Sequence, residues 1–131
     1  MDARDFITVD MSAERLLTVT PEQTVRHFVP TMPAVFGTPL MILEMEMTSG
    51  DAISRFLPEG WVTVGTEVDI RHLAATPVGR IVRTTARVTA VERRVIRFEV
   101  EAFDGDQKIG DGRHARGLVN VEQFTKRFGA G

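Results

Sequence analysis

The sequence contains no cysteine, no long apolar run and little net charge. Without cysteine, disulfide bonds, thiolate zinc sites and a cysteine nucleophile are all excluded. No apolar stretch approaches the ~20 residues that a helix needs to span a bilayer, so no membrane-spanning segment is expected. The formal net charge of −2 gives the molecule as a whole no electrostatic reason to bind nucleic acid or a membrane surface. The three histidines show no paired spacing, so no metal site is predicted.

Length and composition are those of an ordinary globular domain. A chain of 131 residues can bury roughly two thirds of its unfolded surface, so we predict a single domain over residues 1–131 with its own core. The hydrophobic share of 43% and the charged share of 26% are typical of globular proteins. The first ten residues lack the apolar block of a signal peptide and are expected to form a loose arm. A cytoplasmic location is therefore expected by default.

Lysine is scarce, because arginine supplies fourteen of the sixteen basic residues. Seven of these arginines fall between Arg71 and Arg97. Arginine makes planar, bidentate contacts with phosphate, so a phosphorylated substrate is one interpretation of the cluster. The solvated face of a β-sheet is the other interpretation, and the sequence leaves both open.

The clearest helix signal begins at Thr38-Pro39, which pairs a typical N-cap residue with proline at the first helical position. The helical pattern continues to Phe56, and Pro58 closes it. At about 100° per residue, one narrow stripe of this helix is polar and most of the remaining surface is apolar. The polar stripe comprises Glu44, Thr48, Asp51 and Arg55. Such a helix is predicted to be mostly enclosed by a sheet, with its polar stripe facing solvent.

After the helix, the apolar spacing changes to two, the period of a β-strand. This alternation predicts four strands, over residues 62–72, 81–90, 96–102 and about 108–121, which follow a short strand over 16–19. Residues 26–37 contain two prolines and are predicted to form a loop. Short connections predict that consecutive strands are antiparallel neighbours. One long helix on an antiparallel sheet is an α+β architecture, and a sheet wrapped around a buried helix resembles the hot-dog fold.

Glu46 is the most informative polar residue of the predicted helix. It lies on the apolar and small-residue face, about 200° around the helix axis from Glu44. A carboxylate in that position must be paired, reach a cavity or stay protonated, because burial of an unpaired charge is costly. Glu46 is therefore a candidate catalytic carboxylate, and a buried glutamate with a structural hydrogen bond is the alternative.

Thr38 and His72 are the two further candidates. Thr38 lies at the helix start, where free N–H groups and the positive end of the dipole favour a carbonyl oxygen or an oxyanion. His72 ends the first long strand in the same parity as Val64 and Val68, so we expect it to face the helix. A histidine there can act as a general acid or base near neutral pH. A plain N-cap and a structural histidine are the alternatives, and the other two histidines offer no comparable argument.

Several short motifs, read together, resemble the fluoroacetyl-CoA thioesterase-like family over residues 16–124. The motifs are Thr24-Val-Arg-His27, Val35-Phe-Gly-Thr-Pro39, the glutamate at position 46, Gly65-Thr66, Arg71-His-Leu-Ala-Ala-Thr-Pro77 and Ile109-Gly-Asp-Gly-Arg-His-Ala-Arg116. The spacing from the threonine to the glutamate and the histidine before Ala-Ala-Thr-Pro are the more specific features. The glycine-rich last strand alone is a weak signal.

This resemblance implies a hot-dog fold, a homodimer or a higher homo-oligomer with sheets joined edge to edge, and active sites at the dimer interface. It implies hydrolysis of an acyl-CoA thioester by a catalytic triad of Thr38, Glu46 and His72. Gly65 and Arg116 correspond to the family's substrate-contacting residues. Glu46 would be the nucleophile or the base that aligns water, with His72 as proton-transfer partner and Thr38 as a hydrogen-bond donor. Coenzyme A belongs to the substrate, and no other cofactor is expected.

One segment differs from the family's fluoroacetyl-specific member. That member has an aromatic-rich loop before the threonine, which helps to close its pocket, whereas residues 29–34 here contain no aromatic residue. The difference argues against transferring selectivity for a fluorinated acyl group. 

Two other functions remain open at this stage. A hot-dog enoyl-CoA hydratase or dehydratase would share the fold, but the pairing of Thr38 with Glu46 argues against it. A non-catalytic module that binds acyl-CoA or another small ligand could keep the same pocket. Release of free thiol from acyl-CoA would indicate hydrolysis, whereas saturable binding without turnover would indicate a binding module.

Overall fold

The fold was analysed in a computed structural model that describes residues 1–129. Over this range, five strands form one antiparallel sheet and a long helix packs on one of its faces. The strands are β1 (Ser12–Thr18), β2 (Trp61–His72), β3 (Ile81–Val91), β4 (Val95–Asp104) and β5 (Gln107–Asn120). The helices are α1 (Val25–Phe28), α2 (Thr38–Ile53) and α3 (Val121–Phe128), with 3₁₀ turns at Ala3–Asp5, Pro21–Gln23 and Ser54–Phe56. None of the helices in this range is long and apolar enough to cross a membrane.

The strand order is β1-β3-β4-β5-β2, so the prediction of neighbouring consecutive strands holds for only part of the sheet. It is confirmed for β3, β4 and β5, which are joined by tight turns. In the turn between β4 and β5, Gly105 adopts a φ of 59°. It is wrong for β2 and β3, because β2 pairs with β5 at the sheet edge. The connection over residues 73–80 is not a hairpin. It is held by the segment before α2, where Phe36 N–H donates to the Thr76 carbonyl over 2.8 Å.

The core lies between α2 and the sheet. Apolar side chains of the helix pack against those of the central strands, because α2 crosses β1, β3 and β4 and only touches β2 and β5. The fully buried members include Met41, Met45 and Ile53 from the helix and Val82, Val88, Ile96, Phe98 and Val100 from the sheet. The inner face of β2 is therefore covered less than that of β3. Val68 of β2 remains 46% exposed.

The polar stripe of α2 faces solvent as predicted only at Asp51 and Arg55, which are exposed. The prediction is wrong for Glu44 and Thr48. Glu44 is 7% exposed and Thr48 is fully buried, because both face β1 and the central sheet. Arg15 of β1 makes this possible: its guanidinium lies 3.4 Å from Glu44 Oε1 and 3.1 Å from Asp51 Oδ2. The Thr48 hydroxyl donates to the Glu44 backbone oxygen over 2.6 Å. Two apolar residues of α2 are exposed as well, since Leu43 and Met47 are 45% and 39% exposed.

A β-bulge divides β2 into two halves of opposite parity. The register with β5 shifts between Gly65 and Glu67, so Thr66 is the extra residue. Before the bulge, Trp61, Thr63 and Gly65 face the helix, and Val62 and Val64 face outward. After the bulge, Val68, Ile70 and His72 face the helix. The prediction that His72 faces the helix is thus confirmed. The prediction that Val64 faces the same side is wrong, because the bulge lies between the two residues.

The two ends of the described chain also differ from prediction. The first residues are not a loose arm, since Ala3 and Ile7 belong to the core and Ala3 N–H donates to the Arg93 carbonyl over 2.9 Å. The last strand ends at Asn120, whose side chain caps α3 by accepting from Gln123 N–H. This helix was not predicted, and the predicted last strand extended one residue into it, to Val121.

Candidate active site

Thr38 and His72 form the first part of the candidate site. The Thr38 hydroxyl lies 2.7 Å from His72 Nδ1, and a hydroxyl both donates and accepts, so the bond suits either ring tautomer. The prediction of Thr38 as the N-cap is wrong. Gly37 is the cap and Thr38 is the first helical residue, which leaves the threonine hydroxyl free for the histidine.

The second ring nitrogen of His72 lacks a partner. Nε2 is buried and makes no hydrogen bond to any residue of the described range. Burial lowers the pKa of His72 below its ordinary value of 6.5, because desolvation disfavours the charged ring. The imidazole is therefore neutral at pH 7, the state that accepts a proton. Buried polar atoms are normally satisfied, so this nitrogen is an unused hydrogen-bonding group within residues 1–129.

A cleft of about 340 Å³ opens beside the bonded pair. Its remaining wall is mostly apolar and comprises Val25, Val35, Phe36, Leu73, Ala74 and Ala75. The first three belong to the segment before α2, and the others to the chain that leaves β2. The volume lies at the lower end of the range of ligand pockets, which suits a small apolar group.

Glu46 lies two turns further along α2, over β2. A Cβ atom added to Gly65 would come within 2.5 Å of Glu46 Oε1, so the absence of a side chain at Gly65 leaves space for the carboxylate. Glu46 is half-buried, and its carboxylate makes no hydrogen bond or ion pair within residues 1–129. A carboxylate in that state is available to a water molecule or a substrate.

Arg116 of β5 is held near this carboxylate by several hydrogen bonds. Its Nε and Nη2 donate to the hydroxyl and the carbonyl of Thr63 over 2.9 and 2.8 Å. Its Nη1 lies 3.2 Å from His114 Nε2 and 3.5 Å from the Glu46 backbone oxygen. Burial lowers the pKa of Arg116, whereas the Glu46 charge raises it. The guanidinium remains charged, because arginine does not lose its proton in proteins.

The five predicted site residues thus lie in two groups. Thr38 pairs with His72, and Glu46 lies with Gly65 and Arg116. Thr38 and Glu46 are eight positions apart on α2, which places them about 12 Å apart along the helix axis. Among the described residues no hydrogen bond connects the two groups. A single chain therefore does not bring the three predicted catalytic residues into one hydrogen-bonded group.

The arginine cluster lies outside both groups and is mostly paired with acidic side chains. Arg71, Arg80, Arg83, Arg87 and Arg97 each form an ion pair with an aspartate or a glutamate. This pattern favours the solvated sheet face over a phosphate site. Within residues 1–129, no group of three or more acidic or histidine side chains is placed to hold a metal ion.

Comparison with known proteins assigns a family to this arrangement. The family model of the fluoroacetyl-CoA-specific thioesterases matches residues 19–122, which include all five residues. The chain belongs to this family. A fluoroacetyl-CoA thioesterase of Streptantibioticus cattleyicolor is 36% identical over 115 residues, and the match covers 83% of each chain. The predicted family and enzyme class, a thioesterase, are thereby confirmed.

Solved structures show the same fold. The structure of the fluoroacetyl-CoA thioesterase FlK is 34% identical and has a TM-score of 0.88, over 93% of this chain and 95% of that one. A hot-dog-like protein from Thermanaerovibrio acidaminovorans is 23% identical, with a TM-score of 0.89 over 98% of this chain and 95% of the other. The predicted α+β hot-dog fold is confirmed for this thioesterase.

His114 is the residue near the site that the sequence reasoning missed. It is 3% exposed and lies against Gly65 and Arg116. Its position two residues before Arg116 was a usable signal, since alternate residues of a strand share a face. The parity of β2 could not supply the same information, because the bulge interrupts it.

Proposed function

We propose that this protein hydrolyses an acyl-CoA thioester to a free acid and coenzyme A, with Glu46, His72 and Thr38 as catalytic residues and no further cofactor. Its membership of the thioesterase family supports the reaction. The observation that carries the site is the neutral His72 ring, fixed by Thr38 at Nδ1 and unpartnered at Nε2. That ring lines a mostly apolar cleft that suits a small acyl group.

The chemistry requires water to attack the thioester carbonyl and the C–S bond to break. A water held by Glu46 loses a proton to Glu46 or to neutral His72, and the hydroxide forms the new C–O bond. The collapsing intermediate expels the thiolate, which takes that proton to give coenzyme A. Direct attack by the Glu46 carboxylate, followed by hydrolysis of the anhydride, gives the same products. In either route the Thr38 hydroxyl can donate to the reacting oxygen.

The complete site is proposed to form between two copies of the chain. Glu46 of one protomer would meet the Thr38–His72 pair of its partner, because the two groups are too far apart within one chain. The apolar surface on this side supports a homodimer, since Leu43, Met47 and Val68 are all more than a third exposed. β2 is a sheet edge of twelve residues, and pairing of two such edges would satisfy their free backbone groups.

Mixed dimers test this composite site. Glu46→Gln and His72→Ala homodimers should each be nearly inactive. A mixture allowed to exchange subunits should recover about a quarter of wild-type activity, because half of its dimers are mixed and each mixed dimer has one intact site of two. A mixture of Glu46→Gln and Thr38→Ala dimers should recover a similar fraction of wild-type activity. No recovery after proven exchange, or a monomer by light scattering at micromolar concentration, would contradict the composite site.

Free-thiol release from a panel of acyl-CoA substrates tests the reaction itself. Short apolar acyl groups should be turned over in preference to long ones, because the cleft is small. The loop over residues 29–34 is exposed at five of its six positions and carries no aromatic residue, so we expect no strong preference for a fluorinated group over acetyl. Saturable binding without thiol release would favour a binding module, and loss of an enoyl group's absorbance would favour a hydratase.

A further inference from the structure

His114 is a buried histidine that the proposed mechanism does not use. It lies on β5 opposite Val68 of β2 and Phe98 of β4. Only 3% of the residue is exposed, so it cannot contact a substrate directly. Its ring nevertheless touches the residues on which the proposed site depends, since a Cβ atom added to Gly65 would meet His114 Cε1 at 3.2 Å.

The hydrogen bond at Nδ1 fixes the tautomer of His114. Nδ1 lies 2.8 Å from the backbone oxygen of Glu67. A carbonyl oxygen only accepts, so Nδ1 carries the hydrogen. Glu67 is the residue that directly follows the bulge of β2. The ring therefore ties β5 to the irregular part of β2, next to Gly65.

This tautomer makes His114 Nε2 the acceptor in its hydrogen bond with Arg116. With the hydrogen on Nδ1, the neutral ring has a lone pair at Nε2, and Arg116 Nη1 donates to it over 3.2 Å. Burial lowers the pKa of His114, and the Arg116 charge lowers it further, against the opposing effects of the Glu67 carbonyl and the Glu46 carboxylate. A protonated ring would turn an N–H group towards the guanidinium and lose this bond.

Arg116 is thereby held at three nitrogen atoms. Thr63 accepts from Nε and Nη2, and His114 accepts from Nη1, the nitrogen that also lies 3.5 Å from the Glu46 backbone oxygen. Without His114, the Nη1 end of the fork would have only the longer contact with Glu46. His114 thus decides where the end of the guanidinium nearest Glu46 lies.

We propose that His114 is a positioning residue whose neutral Nδ1–H tautomer holds the Arg116 guanidinium beside Glu46 for the substrate. The proposal rests on the proposed active site and on the substrate contact that the family resemblance implies for Arg116. His114 does not transfer a proton in the reaction; it acts through Arg116.

The tautomer is tested without any activity measurement. Long-range ¹H–¹⁵N NMR of the labelled protein at pH 7 should show a histidine ring with Nδ1 protonated and Nε2 unprotonated whose signal is absent in His114→Gln and retained in His72→Gln. Replacement of Arg116 by alanine should shift the resonance of His114 Nε2. A His114 ring with the hydrogen on Nε2, or a doubly protonated ring at pH 7, would overturn the proposal.

Kinetics separate positioning from a merely structural role. His114→Leu removes the acceptor and should lower kcat/KM by about tenfold or more, because a hydrogen bond to a charged group is lost. His114→Gln can offer its amide oxygen to Arg116 and should stay within a few-fold of wild type. In an Arg116→Ala background, His114→Leu should add little, since the group that it positions is gone. Fully additive losses would contradict the proposal.

The same variants distinguish failure of this proposal from failure of the active site. If Arg116→Ala leaves turnover unchanged, Arg116 does not act on the substrate and the positioning proposal fails, whereas the proposed catalytic residues fail only if Glu46→Gln and His72→Ala stay active. If Arg116→Ala is impaired but His114→Leu is not, only the positioning role is wrong. Should His114→Leu not fold, His114→Asn takes its place, because it retains a donor for the Glu67 carbonyl but has no acceptor that reaches Arg116.

Discussion

The two sides of α2 carry one glutamate each, and these residues lie in opposite environments. On the side towards β1, Glu44 is buried and its carboxylate is paired with Arg15. On the side towards β2, Glu46 is half-buried and its carboxylate has no partner in the described part of the chain. Both residues are glutamates two positions apart on one helix, so the difference comes only from what the sheet places opposite them.

This contrast separates a structural carboxylate from a reactive one. The polar groups on the Glu44 side all have partners within the chain. Arg15 pairs with Glu44 and Asp51, and the Thr48 hydroxyl donates to the Glu44 backbone oxygen. The side with Glu46 is polar but incomplete, with glycine at the point of closest approach and a restrained arginine nearby. A group whose hydrogen-bonding capacity is unused in the folded chain is the one that remains available for chemistry.

Replacement of each glutamate by glutamine gives the largest expected difference. Glu46→Gln should lower thioester hydrolysis by on the order of a hundredfold or more, because the base or nucleophile is lost, with little change in melting temperature. Glu44→Gln should keep turnover within a few-fold. It should lower the free energy of unfolding by about 1 kcal/mol, because Arg15 loses a buried charged partner. A fully active Glu46→Gln, or a crippled Glu44→Gln, would reverse the assignment.

A methyl group at Gly65 tests how closely the Glu46 side depends on empty space. Gly65→Ala places a Cβ atom 2.5 Å from Glu46 Oε1, so the carboxylate must move. We expect kcat/KM to fall roughly tenfold to a hundredfold, as for other small displacements of a catalytic group. Gly50→Ala is the matched control, since its added Cβ has no neighbour within 4 Å. It should leave turnover within a few-fold and stabilise the helix by up to about 1 kcal/mol. Equal kinetics for the two variants would contradict the steric argument.

The acid limb of the pH profile reports the neutral ring of His72. Burial lowers the pKa of His72 below 6.5, so the neutral, active form predominates above that lowered pKa. Activity should therefore be lost as the pH falls through a midpoint below 6.5, measured as kcat/KM on the wild-type protein. His72→Gln should be slow and lack this limb. A midpoint above 6.5 would mean that the ring is stabilised in its charged form and cannot be the proton acceptor.

Added salt should have the smallest effect. The five paired arginines of the 71–97 cluster already face carboxylates, so they are poorly placed to bind the phosphates of coenzyme A. The KM for acyl-CoA should change less than about twofold between low and high salt, because few unpaired charges would be screened. A steep rise of KM with salt would instead assign phosphate binding to the cluster.

The parts of the fold that the sequence predicts are those with local causes. The proline at the start of α2, the alternation of the strands and the short connections between them all act over a few residues. They were sufficient to predict the long helix, the strands and the two hairpins. The burial of Glu44 was not predictable in this way, because it depends on Arg15, which lies 29 residues earlier in the chain. The buried N-terminal segment and the edge position of β2 likewise depend on distant contacts.

The candidate site shows the same division. The sequence indicated Glu46 from the small residues around it and His72 from its place at a strand end, and the resemblance added Gly65 and Arg116. The distance between Thr38 and Glu46 already follows from the predicted helix. The pairing of Thr38 with His72 and the fit of Glu46 over Gly65 depend on contacts between distant segments, which the sequence could not indicate. His114 was missed because its value lies in two hydrogen bonds, to the backbone of Glu67 and to Arg116, that only the folded sheet creates.

The extra residue in β2 makes this strand sensitive to changes of length. Thr66 allows Gly65 and His72, seven positions apart, to face the same layer of the protein, which an unbroken strand would forbid because seven is odd. Deletion of Thr66 would leave every other residue unchanged, yet it would turn one end of the strand inside out. Substitutions at Thr66 should consequently be accepted far more readily during divergence of the sequence than insertions or deletions between Gly65 and His72.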